Sequence, residues 1–355
     1  MSMRLTRVRG AIIVAFAAVF ALLGLAVDQA FVGASAASSV SGSTSSSAGD
    51  SAWTPAAAPI VHNVTSVPVI VWHEMDNGCQ PQDATCISHD PETVSSRQFG
   101  AELGWLYKQG YHTVTMSQYV AWTEDEHAAM PSKPVLLVAD NGIGNFLLGA
   151  QPYLVRYHYQ VTAAIVTGFA DGAAGKCTDP EFQPGCPADN AGWDLTWPQL
   201  KQLGPEYDFI LEAGASGHFV QAHDTYFYTT KLAGESDSAY EHRVTSEQSK
   251  GWQELTSELG SRVDTSAWVV PYSDLGYPRG DLASSTPQPY NGPAGWLVSY
   301  AAAKYKDVFV EDAERNGIQH ERFRLDVNGQ DTLSYFTTTL QSEIAAGDYG
   351  WVSAT

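Results

Sequence analysis

The chain is short of positive charge: 19 Lys and Arg face 39 Asp and Glu among 355 residues, a formal net charge of −20. That imbalance leaves no basic face to neutralise phosphates, which argues against nucleic acid and anionic membranes as partners. Cysteine is scarce too, and the four present show no C-x-x-C spacing. No G-x-G-x-x-G follows the first apolar strand, so dinucleotide binding has no support. Charge is absent from residues 10–27, "GAIIVAFAAVFALLGLAV".

That uncharged run follows Arg4, Arg7 and Arg9 and precedes the small-residue tract "VGASAASS", the order of an export signal. The expectation is a signal peptide over 1–36, cut after Ala34-Ser35-Ala36, with an uncleaved single-span anchor as the alternative. Cleavage removes three Arg and one Asp, leaving 38 acidic against 16 basic residues and a net charge of about −22. Residues 37–58 are rich in Ser, Ala and Gly and read as a flexible tether, with the folded domain over 59–355. In an exported chain, Cys79/Cys86 and Cys177/Cys186, each pair within a short polar loop, read as two local disulfides among three possible pairings.

Apolar, β-branched runs predict strands at 67–74, 111–116, 133–140, 161–168, 207–214, 266–272, 307–312 and 322–327. Helical spacing predicts helices at 95–110, 144–157, 196–203, 237–259, 295–306 and 331–344. In the first, Phe99, Leu103, Leu106 and Tyr107 share a face, and Ser95 with Gln98 matches a capping box. Continuously apolar strands alternating with helices imply a mainly parallel sheet covered on both faces. Seven or eight such units favour a single-domain α/β barrel over an open sheet.

In parallel α/β folds the chemistry collects where strands end. Asp140, Asn141 and Gly142 stand at the end of "KPVLLVAD", where Gly142 permits a tight turn; taken alone, the triplet is equally a plain turn. His218 and His223 follow another strand at i and i+5, about 140° apart on a helix, so they can converge only across a loop. With an oxygen donor from another strand end they would make a three-ligand metal site open to water. His73 and Glu74 close the first strand, and Pro271, Tyr272, Ser273 and Asp274 close a later one.

Six stretches in shared order, "VPVIVWHEM", "SSRQFGAELGWLYKQGYHTVTMSQY", "KPVLLVADNG", "LTWPQLKQL", "GHFVQAH" and "VVPYSD", give the chain a family resemblance over most of 67–345. It resembles the polysaccharide deacetylases of carbohydrate esterase family 4, the NodB-like fold, and most closely the poly-N-acetylglucosamine deacetylase branch. The resemblance implies a distorted (β/α) barrel of about seven parallel strands, acting as a monomer on an N-acetylated glycan such as peptidoglycan or poly-N-acetylglucosamine. It also implies a divalent metal, zinc with cobalt or nickel as alternatives, bound by Asn141, His218 and His223. Asp140 matches the general base, Tyr272 the residue whose backbone N–H holds the oxyanion, and His73 a group lining the site.

Three departures stand out. Asn141 occupies a position usually held by a metal-binding aspartate, Phe219 replaces a threonine, and Gly217 replaces a serine. A neutral amide in place of a carboxylate weakens metal binding, so Asn141→Asp is expected to tighten it. No general acid is assigned, because the family's C-terminal motif is not clear in "IQHERFRLDVNGQD". A catalytically silent carbohydrate-binding relative is the main alternative, and an esterase of small acetylated sugars a weaker one.

Overall fold

The structure is a computed structural model, and it describes residues 53–76, 91–172, 195–214, 220–222, 225–229, 231–271, 293–310 and 321–352. The strands along the main sheet are β1 (Val69–Trp72), β2 (Pro134–Ala139), β3 (Val161–Val166), β4 (Tyr207–Ala213), β5 (Val263–Val269), β6 (Asp307–Phe309), β7 (Glu321–Arg322) and β8 (Leu325–Asp326). They form one parallel sheet in the order β7-β6-β5-β4-β3-β2-β1-β8. The two edge strands are consecutive in the chain. Two intervening residues span at most roughly 10 Å, whereas seven strand spacings laid flat would separate the edges by roughly 34 Å. The sheet therefore has to curl, with residues 321–322 pairing one edge and 325–326 the other, which is the distorted (β/α) barrel the sequence predicts.

Period-2 alternation sorts each strand into two layers. Val69, Val71, Leu136, Val138, Ile210, Ala267, Val269 and Phe309 pack together inside the barrel. Ile70, Trp72, Val135, Leu137, Phe209, Leu211, Trp268 and Val308 face the helices instead. Both faces are buried, which is why these strands read as unbroken apolar runs.

The helices are α1 (Ser96–Lys108), α2 (Met116–Glu124), α3 (Gly144–Tyr157), α4 (Thr167–Gly172), α5 (Trp197–Gln202), α6 (Asp237–Leu259), α7 (Pro293–Lys304) and α8 (Leu333–Ala346). Phe99, Leu103 and Leu106 of α1 are buried as expected, but Tyr107 is 53% exposed. Ser95 caps α1 through Gln98 N at 3.1 Å. The Gln98 side chain does not complete the capping box; its amide nitrogen goes to the Glu102 carboxylate and the Asn328 carbonyl.

One expected strand is shorter than predicted and gives way to a helix. Of 111–116, only His112–Thr113 pairs, alongside the start of β2, and α2 begins at Met116. Met116, Tyr119, Val120 and Trp122 of α2 join the interior cluster. Its polar contacts go to aspartates at or near the starts of strands: Met116 N to Asp208 at 2.9 Å, Ser117 to Asp264 at 2.6 Å and Thr123 to Asp307 at 2.7 Å. The helix thus plugs the N-terminal end of the barrel and leaves the C-terminal end for a site. Among the described residues no helix is long and apolar enough to cross a membrane, and residues 10–27 lie outside them.

Candidate active site

Continuing the interior alternation past the apolar layer predicts what lines the open end. Val71 leads to His73, Val138 to Asp140, and Ile210 to Glu212, while Arg322, Arg324 and Asp326 alternate along the closing segment. His73, Asp140, Glu212 and Arg324 are all buried. A layer of charge therefore sits directly on a layer of valine and isoleucine, and buried charges require partners.

Asp140 is the centre of the first group. Arg324 Nη1 donates to its Oδ2, and His73 Nε2 lies 3.7 Å from the same oxygen. The Asp140 backbone N–H donates to the Trp72 carbonyl at 2.9 Å, tying the ends of β2 and β1 together. Its other oxygen, Oδ1, is buried and meets no hydrogen-bond donor among the described residues.

His73 is surrounded by carboxylates. Its Nδ1 lies 3.4 Å from Asp326 Oδ1 and 3.9 Å from Glu92 Oε2. Burial alone would drive the proton off the imidazole. The hydrogen bond and charge of Asp326, with the charges of Glu92 and Asp140, outweigh burial and hold its pKa well above 6.5. His73 is thus an imidazolium at neutral pH. Ligand atoms of His73, Glu92 and Asp326 all lie within 4.8 Å of one another, the one such triad among the described residues. A cation there has to displace the His73 proton first.

Asn141 forms the second group. Its φ is +64° and that of Gly142 is +68°, two successive left-handed residues that turn the chain sharply from β2 toward α3. At φ +68° any side chain on Gly142 is strained, and its Cβ would also push on Ile165 Cδ1 at 2.6 Å, so glycine is favoured there. The turn aims Asn141 at β4: its backbone N–H donates to Glu212 Oε2 at 2.5 Å and its Nδ2 to Glu212 Oε1 at 2.9 Å. Trp268 Nε1 donates to the Glu212 carbonyl at 2.8 Å and fixes that strand end in turn.

Of the residues expected from the sequence, the structure brings His73 and Asp140 together and places Asn141 next in the chain. His218, His223 and Tyr272 lie outside the described residues, as do Cys79, Cys86, Cys177 and Cys186. Tyr228 is a core residue near the site, packed edge-on against Trp268 at 5.3 Å. Sequence reasoning missed Glu92, Glu212, Arg324 and Asp326. The last two lie in the stretch where no motif was clear, and the signal for them was the alternation of Arg322, Arg324 and Asp326 along one strand face.

No family model matches the chain, and no curated protein matches it. Solved structures do. A de-N-acetylase from Aggregatibacter actinomycetemcomitans aligns over 77% of this chain and 98% of its own, with 17% identity and a TM-score of 0.54. IcaB from Ammonifex degensii aligns over 79% and 100%, with 15% identity and a TM-score of 0.52. The BpsB deacetylase domain from Bordetella bronchiseptica aligns over 75% and 97%, with 16% identity and a TM-score of 0.51. The chain has the NodB-like (β/α) barrel fold of these deacetylases.

Proposed function

We propose that this chain is an exported, metal-dependent polysaccharide N-deacetylase acting on a cell-surface or extracellular glycan such as peptidoglycan or poly-N-acetylglucosamine. One observation carries the reading: a buried carboxylate, Asp140, stands between a guanidinium and a protonated imidazole at the open end of a deacetylase-type barrel.

Amide hydrolysis needs a base for water, a stabiliser for the oxyanion and an acid for the departing amine. Asp140 is the base. Its Oδ2 is engaged by Arg324, and its Oδ1, which meets no donor among the described residues, is the oxygen to take a water proton. His73 is the acid. It carries a proton at neutral pH, and Asp326 and Glu92 stabilise the imidazolium until the amine takes that proton. The backbone N–H of Tyr272 is assigned to the oxyanion by the family resemblance.

A divalent metal, zinc with cobalt or nickel as alternatives, would polarise the amide carbonyl and acidify water when held by Asn141, His218 and His223. The donor set fits: two imidazoles and an amide oxygen suit these ions. Asn141 fits as well, because its nitrogen end is bonded to Glu212 and its oxygen lies at the opposite end of the amide.

Acetate release from N-acetylated chitooligosaccharides, with added zinc, cobalt or nickel, tests the reading. Turnover should respond to metal and to chelator, and Asp140→Asn should cut it by roughly 100-fold or more while sparing metal binding. The rate should also fall as pH rises through the elevated His73 pKa, an alkaline limb that His73→Asn removes. A protein that binds no divalent metal and releases no acetate from any such glycan would instead be the silent carbohydrate binder.

A further inference from the structure

The contact between Asn141 and Glu212 explains how a barrel of this kind tolerates asparagine where a metal-binding aspartate is usual. Glu212 comes from β4, three strands from β1, and is 2% exposed. Its carboxylate accepts hydrogen bonds, and the Asn141 amide nitrogen, not the oxygen, faces it. Both contacts from residue 141 are donations: the backbone N–H at 2.5 Å and Nδ2 at 2.9 Å, one to each Glu212 oxygen. Such two-point, charge-assisted bonding fixes orientation as well as position.

We propose that Glu212 is the positioning residue for Asn141 and that the two form an exchanged pair, with the negative charge absent from position 141 carried by position 212. The proposal rests on the deacetylase reading only where it says what the orientation serves, which is to present the Asn141 oxygen to a divalent cation. The pairing itself is independent of that reading.

It reverses an expectation drawn from sequence. Asn141→Asp alone does not simply restore a metal ligand, because it sets a carboxylate oxygen against Glu212 Oε1, where Nδ2 now sits at 2.9 Å. Two carboxylate oxygens brought to that distance in a buried site repel. Glu212→Gln fails for the complementary reason. A glutamine has one oxygen and one nitrogen, so with its oxygen on the Asn141 backbone N–H its nitrogen faces Nδ2, donor against donor, unless the Asn141 amide turns over, which points its oxygen at position 212 and away from a cation; either way the charge-assisted bonds are lost. The double exchange removes both conflicts: the glutamine introduced at position 212 would accept from the backbone N–H with its oxygen, and its nitrogen would donate to the aspartate introduced at position 141.

The test is a double-mutant cycle on the full chain, with wild type, Asn141→Asp, Glu212→Gln and the double variant followed by thermal melting and by calorimetric titration with zinc and cobalt. Each single change should lower the melting temperature by several degrees and weaken metal binding at least about tenfold. The double variant should recover the wild-type melting temperature to within about 2 °C and bind metal at least as tightly as wild type. Additive losses, or an Asn141→Asp protein that melts like wild type and binds metal more tightly, would overturn the proposal. Coupled melting with no metal binding in any of the four proteins would uphold the pairing, overturn its orienting role toward a cation and count against the deacetylase reading.

Discussion

Arg324 decides the electrostatics of the site at the scale of single residues. Asp140 is buried, with Asp326 across His73 and Glu212 bonded to the next residue, in a chain with twice as many acids as bases, and Arg324 is a permanent cation bonded to it. Both side chains are almost fully enclosed, so the pair is poorly screened by solvent. Breaking a buried pair from one side leaves an uncompensated charge, which costs on the order of 3–5 kcal/mol. Arg324→Met should therefore lower stability by about that amount in urea titration and also depress turnover. Arg324→Lys keeps the charge but loses the planar fork, so it should recover stability in part and turnover less. An Arg324→Met protein as stable as wild type would mean that Asp140 does not depend on this guanidinium.

Helices and strands were legible to the extent that their signals are local. The 3.6-residue spacing marks both α3 and α6 to the residue, through an apolar stripe in each and, in α6, a Ser236 cap and a Gly260 stop; α3 is legible despite an uncapped start and an internal Pro152. The segment 111–116 misled because its valine and threonines have high strand propensity, while the decisive feature is the capping box of Thr115 and Gln118 that starts α2. Asp140 was legible because it ends an unmistakable apolar strand. Glu92 and Glu212 were not: a carboxylate's role depends on which neighbour the barrel brings to it, and Asn141 and Glu212 are 71 residues apart. Thr115→Ala removes an exposed cap at the plugged end of the barrel, so it should lower stability by about 1 kcal/mol by chemical denaturation and leave catalysis unchanged. A loss of activity without a loss of stability would contradict the assignment of α2 as a structural plug.

For the whole molecule, the dependence of stability on pH is set by buried carboxyls that anchor the barrel's helices, and Glu102 is the clearest of them. It is completely buried on α1, where it accepts hydrogen bonds from Trp72 Nε1 at 2.9 Å and Gln98 Nε2 at 3.1 Å. Gln98 in turn donates to the Asn328 carbonyl, so one carboxyl joins β1, α1 and the segment leading into α8. Burial outweighs the two hydrogen bonds and raises the Glu102 pKa from 4.5 to about 8. The folded protein therefore holds this proton more tightly than the unfolded chain does. Its contribution to stability is fully present below about pH 4.5 and is lost as pH rises through about 8. Glu102→Gln keeps the shape and cannot ionise; its amide nitrogen replaces one of the two acceptor oxygens, a loss that is the same at every pH and leaves the pH dependence to report the ionisation. Between about pH 5 and pH 9, wild type should lose about 4 kcal/mol more stability than Glu102→Gln, with the curves diverging as pH rises. Urea titrations of both proteins across that range read the difference directly, and parallel curves would show that Glu102 ionises in the folded barrel as freely as in the unfolded chain.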